Sequence, residues 1–358
     1  MSKLLPDHRV IFGTFEVIDF PDEERIAPIR QRLDVDVPMH VRWNDWEYGS
    51  EIQELRRLYE KGKRSQWNAS EDLNWDTPVT KDEWLGDPQM SIMGTITKLM
   101  GKDEATQKAA LFDEVNWIVS QLLHGEQAAL QICGQLTNLC PTTDEKFYAA
   151  NQANDEARHC EVFARFVGEK MGTIYPVSPV VKTLLDEILA AEGYEKKALG
   201  MQTLFEGFAM GLMDLLREAL TNPLARDMLR RVEIDEARHA AFGVLTMRRL
   251  TRQVDPEVKR ELEDWSMDLL ETLNANQNMS MLRTLGPKYG INATAVTQAM
   301  LADRAWVEGN SMVYMHTVMP NLVRLGLVTE RTEDRYRKLG MLTDMRRAAQ
   351  GPVQPDLQ

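Results

Sequence analysis

From about residue 104 to 252 the chain sets apolar side chains three and four residues apart, with little of the β-branched alternation that marks a strand. Turn signals divide this helical stretch. Cys140-Pro141 ends one run and Thr142, Thr143 and Asp144 offer caps for the next; Thr221-Asn222-Pro223 repeats the arrangement, with a proline suited to a first turn. Tyr175-Pro176-Val177-Ser178-Pro179 marks a longer connection before a short helix near 180–191, closed by Gly193. Beyond 255 the spacing predicts helices at roughly 256–285, 292–318 and 330–348, separated by Gly286-Pro287, by Pro320 and by the turn at Gly326. Before 104, residues 51–64 carry a helical stripe of Ile52, Leu55 and Leu58 in a segment otherwise broken by Pro38, Pro78 and Pro88 and rich in tryptophan (Trp43, Trp46, Trp67, Trp75, Trp84). The pattern reads as all-α: an irregular arm over 1–103 packed on the body, a helical bundle over 104–252, C-terminal helices over 253–350 and a disordered tail over 351–358.

The segments Asp155-Glu156-Ala157-Arg158-His159 and Asp235-Glu236-Ala237-Arg238-His239 are identical, and each has a glutamate thirty residues upstream, Glu126 and Glu206. The unit is a duplicated helical hairpin. In an antiparallel hairpin, residues equidistant from the turn lie side by side, and the midpoints fall on Pro141 and Thr221, where the turn signals are. Glu126 is therefore expected beside Glu156, and Glu206 beside Glu236. At a rise of about 1.5 Å per residue each pair sits about 20 Å from its turn, a depth at which a lone carboxylate is very costly. Metal supplies the partner. One Glu from each of two helices plus a Glu-x-x-His from each of the other two is the ligand set of di-iron carboxylate four-helix bundles, which makes Glu126, Glu156, His159, Glu206, Glu236 and His239 the expected ligands of two metal ions and the catalytic centre. One imidazole per metal favours two irons, or a manganese and iron pair, over magnesium, while catalytic zinc carries more nitrogen or sulfur. The competing reading is two surface helices with i, i+3 charge pairs.

Around this set, Asp155 and Asp235 are expected to accept the imidazole N–H groups, held in turn by Arg158 and Arg238. Gly207 and Gly211 on the third helix signal a need for space. Met210 and Met213, four and seven residues beyond Glu206, are expected to line an apolar pocket with Leu122, Leu130 and Cys133, although each also reads as ordinary core. Glu233, three residues before Glu236, is either an extra ligand or, as favoured here, a solvated helix charge. His124 should point away from the metals.

The chain has 358 residues, 43% hydrophobic and 27% charged, and a net charge of -13, which argues against a nucleic-acid surface. No apolar run approaches the ~20 residues of a membrane span, and MSKLLPDHRVIFG does not read as a signal peptide, so a cytoplasmic protein is expected. The three cysteines form no C-x-x-C pair and read as small buried residues.

With Asp-Glu-Ala-Arg-His twice, each preceded by its glutamate, residues 105–250 resemble the ferritin-like di-iron oxygenases: the para-aminobenzoate N-oxygenase-like proteins, the oxygenase subunits of the CoA epoxidases and, more distantly, the acyl-carrier-protein desaturases. The stretch from Leu58 through Ser65-Gln66-Trp67-Asn68 to Trp75 resembles an N-terminal feature of the group, without an assigned mechanism. The resemblance implies a ferritin-like bundle that uses O2 on a small organic substrate with electrons from a separate ferredoxin or reductase. One departure matters. The N-oxygenases carry an additional His ligand four residues before the last ligand Glu, where this chain has Val232. The expectation is therefore a monooxygenase-type enzyme that hydroxylates or desaturates an apolar substrate; arylamine N-oxygenation and an iron-handling or peroxide-scavenging bundle are the alternatives. The helices after 255 serve as a cap or a homodimer interface.

Overall fold

The computed structural model describes Val41, residues 49–303 and residues 312–342. Trp43, Trp46, His8, His40, the expected disordered tail and the far end of the helix expected at 330–348 lie outside the described residues. Among the described residues the helices are α1 (Gln53–Arg64), α2 (Ile92–Leu99), α3 (Glu104–Leu139), α4 (Thr143–Arg165), α5 (Pro179–Ala190), α6 (Tyr194–Leu199), α7 (Glu206–Ala219), α8 (Pro223–Gln253), α9 (Pro256–Tyr289), α10 (Ala293–Ala302), α11 (Met312–Leu325) and α12 (Glu333–Lys338). The described residues contain no strand beyond a single bridge between Gly86 and Leu220.

Two helical hairpins, α3–α4 and α7–α8, form a ferritin-like four-helix bundle. Their turns stand where the sequence sets them. Thr142 opens α4 with a capping box: its hydroxyl accepts the Glu145 N–H (3.3 Å), and the Glu145 carboxylate accepts the Thr142 N–H (3.1 Å). Asn222 Oδ1 accepts the N–H groups of Leu224 (3.1 Å) and Ala225 (3.2 Å), with Pro223 as the first residue of α8. The bundle interior is layered. One apolar cluster holds Ile132, Leu136, Tyr148 and Phe242; another, around Val119, Phe163, Met213 and Leu229, fills the opposite end. The buried charged residues of α3, α4, α7 and α8 form a belt between them.

Two π-helical turns break the regular ladder. Phe166–Met171 extends α4 until Gly172, at φ +74°, stops it. Gly200–Phe205 joins α6 to α7 in one rod and ends directly before Glu206. Such wide turns accompany functional sites. Gly243 of α8 lies against the second one: a Cβ there would stand 2.6 Å from the Gln202 carbonyl oxygen.

The flanking helices wrap this bundle. α9 packs against α3 and α5, and α11 against α7. Gly207 lets α11 approach, since a Cβ there would meet Val318 Cγ2 at 3.0 Å. Two prolines expected to separate helices lie inside them. Pro287 falls in the last turn of α9, which ends at Gly290 (φ +74°) with the Ile291 N–H on the Gly286 carbonyl (2.9 Å), and Pro320 lies within α11. Tertiary packing overrides the local cost of the missing N–H. Gly193, expected to close α5, instead opens α6 at φ +81°. The arm is also less irregular than expected: α2 is an additional helix, capped by Glu114 of α3, which accepts the N–H groups of Ile92 (3.1 Å) and Met93 (3.0 Å).

Candidate metal centre

The two Asp-Glu-Ala-Arg-His segments face each other across the bundle axis and bring the six expected residues into one buried cluster. His159 Nδ1 lies 3.3 Å from Glu126 Oε2, 3.3 Å from Glu156 Oε2 and 3.1 Å from Glu236 Oε1. His239 Nδ1 lies 3.3 Å from Glu156 Oε1, 3.0 Å from Glu236 Oε2 and 3.6 Å from Glu206 Oε1. The imidazole centroids are 5.9 Å apart. Glu126, Glu156, His159 and Glu236 offer one close set of donor atoms, and Glu156, Glu206 and His239 a second. Glu156 and Glu236 approach both imidazoles, whereas Glu126 and Glu206 each approach one.

The electrostatics fit cations. Burial, with repulsion from Glu236 and Glu156, pushes the Glu126 and Glu206 carboxyls well above the usual range. Burial opposes charge on His239 too, yet the Glu156 and Glu236 carboxylates push it up to about 10. Glu156 Oε2 has no hydrogen-bond partner despite full burial. Four carboxylates with an orphaned oxygen and two imidazoles directed at them by Nδ1 are a donor set that two divalent ions satisfy.

The outer hydrogen bonds are crossed. Asp235 Oδ2 lies 3.2 Å from Nε2 of His159, and Asp155 Oδ2 lies 3.4 Å from Nε2 of His239, so each aspartate serves the imidazole of the other hairpin rather than the one four residues along its own helix. Arg158 donates to Asp155 and Asp235 (2.7 Å each); Arg238 donates to Asp155 (3.2 Å) and, closer, to Asp235. Two anions and two cations thus close a buried neutral ring. Although burial opposes it, His159 and the Arg238 charge hold the Asp235 carboxyl down to about 2. The arm completes the ring: Gln66 donates to Asp155 (2.9 Å), and the Trp67 indole N–H to Asp235 (2.8 Å). This gives the Ser65-Gln66-Trp67-Asn68 stretch a physical role.

Two glutamines escaped the sequence reading. Gln152 donates to Glu156 (3.0 Å) and Glu206 (2.7 Å) and accepts from Gln202 (2.8 Å). Each sits four residues before a ligand-type glutamate, which was the available signal. Glu233 lies outside the cluster, its carboxylate paired with Arg217 (2.7 Å), and His124 contacts the Tyr175 carbonyl (2.8 Å) instead.

An apolar cavity of about 280 Å³ lies between α3, α5 and α7; none of the six cluster residues lines it, but Leu122, one turn from Glu126, and Phe205 and Ala209, flanking Glu206, do, with Val181 and Leu184 of α5 behind. Of the expected lining only Leu122 takes part. Leu130, Cys133, Met210 and Met213 lie elsewhere: Met213 faces the bundle axis in the Val119 cluster, and Cys133 is in the opposite layer, its Sγ 4.0 Å from Glu156. The cavity opens on the flank of α7 turned toward α3, about a quarter turn from the face that carries Glu206 and Met213. All three cysteines are free; Cys133 and Cys140 are buried and Cys160 is half-buried.

A sequence model of the p-aminobenzoate N-oxygenase AurF matches residues 50–312. The chain belongs to the AurF family. Members are oxygen-dependent di-iron oxidoreductases, and this chain is one of them. Val232, at the position of the N-oxygenases' additional histidine, lies buried in the Val119 cluster of this AurF relative. No curated protein sequence matches the chain. Among solved structures, a point variant of the R2-like ligand-binding oxidase with an anaerobically reconstituted Mn/Fe cofactor is 18% identical, covering 77% of this chain and 93% of that one at a TM-score of 0.50. The same oxidase with an aerobically reconstituted Mn/Fe cofactor is 18% identical over 80% and 94% at 0.46. The first likeness agrees with the helical-bundle fold. No helix among the described residues is long and apolar enough to cross a membrane.

Proposed function

We propose that this AurF-family protein is a non-haem di-iron oxygenase that hydroxylates or desaturates a small, largely apolar organic substrate. The observation that carries the reading is the convergence of Glu126, Glu156, His159, Glu206, Glu236 and His239 in one buried cluster, with an apolar cavity lined by near neighbours of Glu126 and Glu206 along α3 and α7. Glu126 and His159 would hold one metal, Glu206 and His239 the other, with Glu156 and Glu236 shared. When bound, a reduced metal pair supplies the capacity to activate dioxygen. The chain's own residues do the rest. Asp235 and Asp155 fix the tautomers of His159 and His239 by accepting at Nε2, leaving Nδ1 for metal. Gln152 orients Glu156 and Glu206 together. Leu122, Phe205 and Ala209 present the substrate and keep water from the cluster. Electrons come from a separate ferredoxin or reductase in a cytoplasmic setting, with self-association to a homodimer as a further element of the proposal.

The family match favours a second reading, N-oxygenation of an arylamine, against which Val232 stands as an apolar residue in place of a ligand. Stopped-flow mixing of the iron(II) protein with O2 tests the first. Rapid O2 uptake at about two irons per chain supports it; uptake of many irons without O2 chemistry on an organic substrate points to iron handling instead. Turnover of an aminoarene but not of alkyl or aryl C–H substrates favours the second reading.

A further inference from the structure

The cavity's wall carries more information than its volume. Along α3 its lining runs from Leu122, one turn from Glu126, outward to Glu114, about 12 Å of helix; from Phe205, the last residue of the π-helical turn, it runs along α7 to Ala219, about 20 Å. It is therefore elongated, leading away from the cluster. Its outer end lies by Met90 and Leu215, large apolar residues that are 47% and 40% exposed. Two polar side chains line it beside apolar neighbours, and the protein has already engaged both. Gln121 donates to the Pro176 carbonyl (3.1 Å) and accepts the Ser178 N–H (2.7 Å). Glu114 accepts from Ser91, Ile92 and Met93. Neither Lys nor Arg lines the cavity among the described residues. A carboxylate drawn inside would leave water and meet no cation, with the neutral indole N–H of Trp117 as the one lining side-chain donor not already engaged, at a cost that a single such bond does not repay.

Building on the oxygenase reading above, we infer that this site takes the uncharged hydrocarbon end of an elongated molecule, inserted end-on between α3 and α7 with any charged group left outside at the Met90–Leu215 mouth, and that free p-aminobenzoate is not its substrate. An aminobenzoate offers a ring that fits the apolar wall, but its carboxylate must then lie either against that wall or toward Glu126 and Glu206. Masking the charge as an ester removes the conflict while keeping ring and amine. A straight alkyl chain gains contact with every methylene until the cavity is full.

Binding separates this inference from the oxygenase reading. The full chain, loaded with iron(II) under argon, is titrated with p-aminobenzoate, its ethyl ester and a series of 1-alkanols, read by calorimetry and by the fluorescence of Trp117, which lines the cavity. The ester is expected to bind at least tenfold more tightly than the acid, and alkanol affinity to rise about fourfold per added methylene before levelling off. Acid binding as tight as that of the ester, or alkanol affinity independent of chain length, overturns the inference. Ala209→Phe is expected to weaken alkanol binding at least tenfold with the iron content unchanged; unaltered binding counts against the cavity as the site. Should that variant misfold, Leu212→Arg, at a half-buried lining position, is expected to strengthen acid binding and weaken alkanol binding, and no change in either overturns the inference. Absence of O2 uptake by the iron-loaded protein defeats the oxygenase reading alone, whereas preference for the acid alongside O2 uptake defeats only this one.

Discussion

Replacing Asp235 by asparagine tests the crossed ring directly. The substitution keeps shape and removes one anion from a buried set of two carboxylates and two guanidiniums, leaving an uncompensated positive charge. Breaking a buried pair from one side costs about 3–5 kcal/mol. The native carboxyl gives a lower bound: held at about 2 against an ordinary 3.8, its ionised form is favoured by roughly 2 kcal/mol. Because this value is depressed on folding, the stabilisation is present above pH 3.8 and is lost as pH falls through about 2. Urea denaturation of the metal-free protein at pH 7 should therefore show Asp235→Asn less stable by about 3 kcal/mol. The metal prediction is sharper. Asp235 shares α8 with His239 but contacts His159, so the variant should lose about 10–100-fold in affinity at the Glu126–His159 position while the Glu206–His239 position holds. Anomalous diffraction at the iron edge gives the two occupancies separately. Preferential loss of the Glu206–His239 metal would falsify the crossed assignment.

Metal loading should release protons. His239 is pushed up to about 10 and is therefore protonated in the metal-free protein at pH 7.5, while His159, Glu126 and Glu206 are raised as well, so calorimetry in buffers of different ionisation heat should show net proton release on metal loading, shrinking as pH nears 10; zero release refutes the cluster's electrostatics. By the same sign, the raised His239 value stabilises the metal-free fold fully below pH 6.5, and that contribution fades as pH rises through about 10. Gly243→Ala drives a Cβ against the Gln202 backbone and should cost about 1–3 kcal/mol in denaturant melts, a neutral result meaning that the π-helical turn yields freely. Thr142→Ala removes one half of the α4 capping box and should cost about 1 kcal/mol, read the same way; an unchanged midpoint would show the hairpin turn is held by other contacts.

The hairpin geometry was legible because it rests on arithmetic along one chain: equal spacings from Glu126 to Glu156 and from Glu206 to Glu236, with breakers midway, admit few arrangements. What depends on the packing between hairpins was not. Helical periodicity places Asp235 one turn before His239, but only the relative position of α4 and α8 shows that its carboxylate reaches His159 instead. The same limit explains the cavity wall. Position around α7 sets Met213 near the Glu206 face, yet the empty space follows from where α3 and α5 stand. The π-helical turn before Glu206 has no compositional mark, and Gln152 and Gln202 resemble any other helical glutamine until their neighbours are in place. In the arm, Gln66 and Trp67 stood out as a pattern, but their partners lie about 90 and 170 residues away.

The crossed ring also bears on where such a chain comes from. A single hairpin bearing Asp-Glu-Ala-Arg-His would have neither a carboxylate at Nε2 of its own imidazole nor full neutralisation for its own aspartate, because the second copy provides both. Two separate hairpins related by a twofold axis would supply each other. Duplication and end-to-end fusion of a gene encoding one half of such a pair would leave this repeat, with the halves free to differ where they need not match, as at Gln152 and its counterpart Val232.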